Sequence, residues 1–107
     1  MEFKNSEDQK LLTLASAGKQ RHGVKQCAAL RDGTGRTHVG NCVNQRTIPL
    51  DALQVALSMA LSSGAEKIEA AVVVGENPSA IALENIREIS PDTAIWFVDS
   101  DGSAHAL

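Results

Sequence analysis

ENPSAIALENIREI, residues 76–89, decides the architecture. Pro78 and Ser79 form a helix entrance. Behind them Ala82, Ile86 and Ile89 recur at helical spacing with Ile81 and Leu83 alongside, while Glu84, Arg87 and Glu88 take the outer side. Pro91 cannot continue a helix and closes the segment. On either side stands a short apolar run, Ile68–Val74 (IEAAVVV) between Lys67 and Gly75, and Ala94–Val98 (AIWFV), each reading as a strand covered on both faces. Two such strands joined by a helix run parallel through a right-handed crossover, so the chain is an α/β protein.

Working outward, Thr47–Ser63 reads as a second helix, with Thr47 as its cap, Pro49 in its first turn and Gly64 at its exit. It is apolar nearly all round, with Asp51, Gln54, Ser58 and Ser62 confined to one stripe, as expected of a helix buried on most sides by its own sheet or by another subunit. Upstream, Val24–Arg31 and Arg36–Val43 are strand-like, and Asp32-Gly33-Thr34-Gly35 supplies the turn of a hairpin. A two-residue loop would pair Cys27 with Cys42 and a four-residue loop would pair Cys27 with Gly40; both registers stay open. The first helix spans about residues 7–17, with Ser6 and Gln9 as a capping box and Gly18 as its stop. Asp99-Ser100-Asp101-Gly102 turns into a short last strand over 104–107. The order α, β, β, α, β, α, β, β predicts a three-layer α/β/α sandwich around a mixed five-stranded sheet, one domain over 1–107, with no internal repeat or linker. A ligand pocket in such a sheet lies outside the strand carboxyl ends, here near Val43–Asn44, Gly75–Asn77 and the starts of the second and third helices.

At 107 residues the chain can bury a core without disulfide or metal staples. Ten Lys plus Arg against 13 Asp plus Glu, with no run of either sign, leave no electrostatic footprint for nucleic acid or anionic lipid. Phe3, Trp96 and Phe97 are too few to build a stacking platform for bases. No apolar run reaches membrane-spanning length, and residues 1–10 are polar where a signal peptide would be apolar, which predicts a cytoplasmic chain. Cys27 and Cys42 have no metal-binding spacing and read as small packed side chains.

In this order, Ala28-Ala29-Leu30, Gly40-Asn41-Cys42-Val43-Asn44-Gln45, Pro78-Ser79-Ala80-Ile81-Ala82-Leu83-Glu84, Pro91-Asp92-Thr93, Trp96–Val98 and Asp101-Gly102 resemble the cytidine deaminase family from about Cys27 to Gly102. The resemblance implies the deaminase topology and an oligomer, a dimer or tetramer. It also implies a zinc site, because a zinc deaminase holds a metal-bound water with three Cys or His ligands and moves protons with a glutamate. Those positions have changed. Ser79 and Ala82 stand at the two cysteines of the proline loop. Matching Ala52 and Ala56 to the family's alanines puts Asp51 at the remaining ligand and Leu53 at the glutamate; the ungapped alternative puts Leu53 and Val55 there. Zinc brings bound water to a pKa of about 7 from about 15.7, and general acid-base catalysis adds about 10² to 10⁴ in rate, so losing both predicts no deaminase, no metal and no cofactor. Cys42 at the family's asparagine and Asn44 at its glutamate also alter the sugar-recognition segment.

Cys42, Asn44, Asp51, Glu76 and Ser79 are the residues expected to border the emptied pocket. Ser79 and Asp51 are first of all helix caps, with anion binding or ligation as the sharper alternative. His22, His38 and His105 are scattered, and His38 lies too far along its strand from Cys42 to share a metal. Cys42 has no identifiable partner base for nucleophilic chemistry. Three roles follow, in this order: a catalytically inactive scaffold acting through protein contacts; a small-molecule binder holding a nucleoside or nucleotide in the former pocket; an enzyme of different chemistry or a deaminase with another ligand set.

Overall fold

The computed structural model describes residues 6–107, so the polar amino terminus is covered from Ser6 onward only. In chain order the elements are α1 (Ser6–His22), β1 (Cys27–Asp32), β2 (Thr37–Asn41), β3 (Val43–Asn44), β4 (Pro49–Leu50), α2 (Ala52–Ser62), β5 (Ile68–Val74), α3 (Ala80–Ile89), β6 (Ala94–Val98) and β7 (Ala104–Ala106). Five strands form a mixed sheet in the order β2-β1-β5-β6-β7, with β5 and β6 parallel and the other neighbours antiparallel. Alternation of side chains along the strands makes two apolar layers. Ala28, Leu30, Ala71, Val73, Ile95 and Phe97 meet α2 and α3 on one face, and Cys27, Ala29, Ala70, Val72, Val74 and Val98 meet Leu11 and Ala15 of α1 on the other. The expected three-layer arrangement follows directly from this division.

Gly40 fixes how closely α2 lies on the sheet. A Cβ there would come 2.5 Å from the Ala56 backbone nitrogen and 2.9 Å from the Ala52 carbonyl oxygen. Only glycine lets β2 and α2 approach backbone to backbone.

Several boundaries differ from the sequence reading. Helix α1 runs through Gly18 to His22. Gly18 is buried against the sheet, where an added Cβ would meet Cys27 Sγ at 2.8 Å, and the helix stops at Gly23, whose φ is 62°. Ser6 is already helical, so its cap lies outside the described residues. Helix α2 begins at Ala52 under the cap of Asp51, whose partner Gln54 completes a capping box. Thr47 does not cap it, and Pro49–Leu50 instead pairs with Val43–Asn44 in a separate two-stranded ladder. Gly64 does end α2: its N–H donates to Leu61 O and that of Ala65 to Ala60 O, a Schellman closure. The hairpin takes neither open register. Cys27 pairs with Asn41 around the three-residue loop 33–35, because Gly35 at φ 90° supplies the left-handed residue of that loop type. Cys27 and Cys42 are both free and pack into opposite layers.

A short repeat escaped the sequence reading: Asp-x-x-Gly-x-x-His occurs at Asp32–His38 and again at Asp99–His105. In each, the aspartate Oδ1 accepts the N–H groups two and four residues on, and Oδ2 bonds the histidine Nε2, at 3.0 Å for His38 and 2.9 Å for His105. The two turns close the outermost hairpins on opposite edges of the sheet. Asp32 is buried, and hydrogen bonds from Thr34 and His38 hold its carboxyl well below the usual carboxylate range.

Candidate functional site

The cleft sought at the sheet's carboxyl end lies between the starts of α2 and α3. It encloses about 620 Å³, and Cys42, Asn44, Asp51, Glu76 and Ser79 all line it. Loop 75–79 reaches it because Gly75, at φ 98°, turns the chain off β5 against the Lys25 backbone, where no Cβ would fit.

Asp51 joins the two helix entrances. Its Oδ1 accepts the Leu53 N–H at 2.7 Å and caps α2; its Oδ2 accepts the Ser79 N–H at 2.8 Å from the entrance of α3. Ser79 Oγ in turn caps α3 by accepting the Ala82 N–H at 3.2 Å. Gln54 extends the tie, accepting the Asp51 N–H at 3.0 Å and donating to Asn85 Oδ1 at 3.0 Å.

Gln26, a residue that the sequence reading missed, is the floor of this arrangement. Its side chain is buried, with Oε1 accepting the Ala52 N–H at 2.8 Å and Nε2 donating to the carbonyls of Glu76 and Asn77, each at 3.1 Å. A longer contact of 3.4 Å reaches Asp51 Oδ2. The only sequence signal was a glutamine directly before the buried run Cys27–Leu30, where an amide must find partners. Asn44, Cys42 and Glu76 make no side-chain hydrogen bond among the described residues and form the rim.

The donor set does not fit a zinc ion. Both Asp51 oxygens and Ser79 Oγ already accept backbone N–H groups, Ala82 and Leu53 are buried apolar side chains, and no group of three His, Cys, Asp or Glu among the described residues is arranged to hold a metal. His38 and His105 are committed to their turns, and His22 is exposed at the end of α1. No helix among the described residues is long and apolar enough to cross a membrane.

A family model described as cytidine deaminase-like matches residues 4–102. No curated protein matches the chain in sequence. Among solved structures, the chain is similar to a cytidine deaminase from Burkholderia pseudomallei, with TM-score 0.76 and 22% identity over 92% of this chain and 90% of that one. It is similar also to one from Mycobacterium leprae, with TM-score 0.70 and 16% identity over 92% and 91%. A mutant cytidine deaminase from Mycobacterium tuberculosis aligns over 65% of this chain and 64% of its own, with TM-score 0.60 and 19% identity.

Proposed function

This chain belongs to the cytidine deaminase-like family, and from that premise we propose that it is a catalytically silent member acting through protein contacts, first of all with copies of itself. The observation that carries the reading is the engagement of Asp51 and Ser79 in capping both helices and in joining them to each other. Asp51 is then the one charged oxygen donor of the set, Ala82 offers no ligand atom, and Leu53 has no proton to move. Metal analysis and a cytidine absorbance assay on the purified chain test it. The expected result is substoichiometric zinc and no turnover; one zinc per chain with turnover overturns it.

Self-association is supported by apolar side chains left in water around α2 and the start of α3: Met59 at 45%, Leu61 at 39% and Ile81 at 52% exposure. Light scattering is expected to give a dimer or tetramer, and M59E with L61E to shift it toward monomer. A parent chain that is monomeric at micromolar concentration retires this part.

A second reading, a small-molecule binder, is favoured by one observation: the cleft of about 620 Å³ remains open, with Asn44 and Glu76 on its rim. Its size suits a nucleoside or nucleotide. NMR titration with a nucleoside and nucleotide panel tests it, and no response at millimolar ligand retires it.

A further inference from the structure

A second cleft, of about 740 Å³, lies on the α1 side of the same sheet end, between α1, the end of β5 and the turn after β6. It shares only Lys25, Glu76 and their wall with the first cleft. Leu12, Val74 and Val98 give it an apolar floor.

The inner polar groups of the first cleft are engaged in a way that the donors of the second are not. In the first, Gln26, Asp51 and Ser79 are bonded to one another and to backbone. In the second, the side chains of Ser16, Lys19, Gln20, Lys25 and Ser100 have no hydrogen-bond or ion-pair partner among the described residues; Ser16, Gln20, Lys25 and Ser100 are exposed to water, and Lys19 is not fully so. All five can donate, and two are cations. Lys19 is the best placed: it is half-buried, and its stem crosses Gly75 so closely that a Cβ there would lie 2.8 Å from Lys19 Cε. Of the two acids in the lining, Asp99 is satisfied by the N–H groups of Asp101 and Ser103 and by His105, while Glu76 stands on the shared wall.

We infer that the α1-side cleft binds an anionic small molecule, whose phosphate or carboxylate is received by Lys19 and Lys25 and whose apolar body rests on Leu12, Val74 and Val98. This goes beyond the reading above. It needs no deaminase chemistry, and its failure would leave the zinc and turnover results untouched.

The test is an amide-resolved NMR titration of the full chain with pyrophosphate and, separately, citrate, at constant ionic strength. Saturable shifts are expected at Lys19, Gly75 and Ser100, with binding weakened about tenfold or more in K19M or K25M and unchanged in K10M, whose ammonium pairs with Glu7 on the outer face of α1. Saturation by pyrophosphate alone assigns a phosphate, and saturation by citrate alone a carboxylate. Absence of saturation by both at about 20 mM, or equal weakening by K10M and K19M, overturns the proposal. The melting temperature of K19M confirms that any loss is one of binding, because the unpartnered ammonium contributes little to stability.

Discussion

Replacing Asp51 by alanine removes two short charge-assisted hydrogen bonds at once, to Leu53 N at 2.7 Å and Ser79 N at 2.8 Å. Loss of the cap costs about 1 kcal/mol. Loss of the Ser79 bond costs about 1–2 kcal/mol more, at the lower end because Ser79 is exposed and water can replace the carboxylate. The Gln26 contact at 3.4 Å adds little. The expected total is about 2–3 kcal/mol, or a fall in Tm of roughly 10–20 °C for a domain of this size. D51N keeps one acceptor oxygen and is expected to lose about half as much. Urea unfolding followed by circular dichroism, with calorimetry for Tm, measures both. A D51A variant within about 0.5 kcal/mol of the parent would refute the claim that this carboxylate ties the helix entrances. So would a parent chain whose melting temperature drops on addition of a chelator, since the tie would then depend on a metal.

Three further outcomes follow from the packing. G40A forces a methyl between β2 and α2, where both neighbours are backbone and cannot yield, and should cost about 3 kcal/mol, seen as a lower urea midpoint. Q26L leaves the buried Ala52 N–H and the carbonyls of Glu76 and Asn77 without their partner; a loss of about 2–3 kcal/mol is expected, with unchanged far-ultraviolet dichroism. Asp32 has a folded pKa depressed by Thr34 and His38, so its stabilisation is complete above the unfolded value of about 3.9 and is lost as pH falls below it. D32N should therefore flatten the acid limb of the stability profile below about pH 4.5, and an unaltered slope there would count against the turn network.

The parallel pair β5 and β6 and the helix between them were legible because each carries an unambiguous local signal: buried apolar runs of strand length, and Pro78 and Pro91 around a 3.6-residue period. The turn register was not, because Gly33 and Gly35 each satisfy a different loop length, and the choice depends on the Asp32 side chain gathering the N–H groups of Thr34 and Arg36. Gly18 misled for a similar reason. A glycine required for close approach to Cys27 looks, in sequence, like one that ends a helix. At the cleft, an acid at the start of a helix predicts the cap that Asp51 forms, but its reach to Ser79 joins residues 28 positions apart and has no local signature. Thr47 and Pro49 predict an earlier start for α2, yet Asp51 has Gln54 three residues on and Thr47 has no such partner.

The two clefts separate stability from recognition in a way that one family of substitutions can expose. Between α2 and α3, the carboxylate, amide and hydroxyl that face the cleft hold one another and the helix ends, so altering them should lower stability before it alters any affinity. Across the shared wall at Glu76, the donors hold nothing among the described residues, and altering Lys19 should change affinity at nearly constant stability. If a single pocket served both roles, the two sets of variants would lose stability and binding together. A polar group that satisfies its neighbours is not free for a ligand; Gln26, Asp51 and Ser79 are in the first state, and Lys19, among the described residues, is in the second.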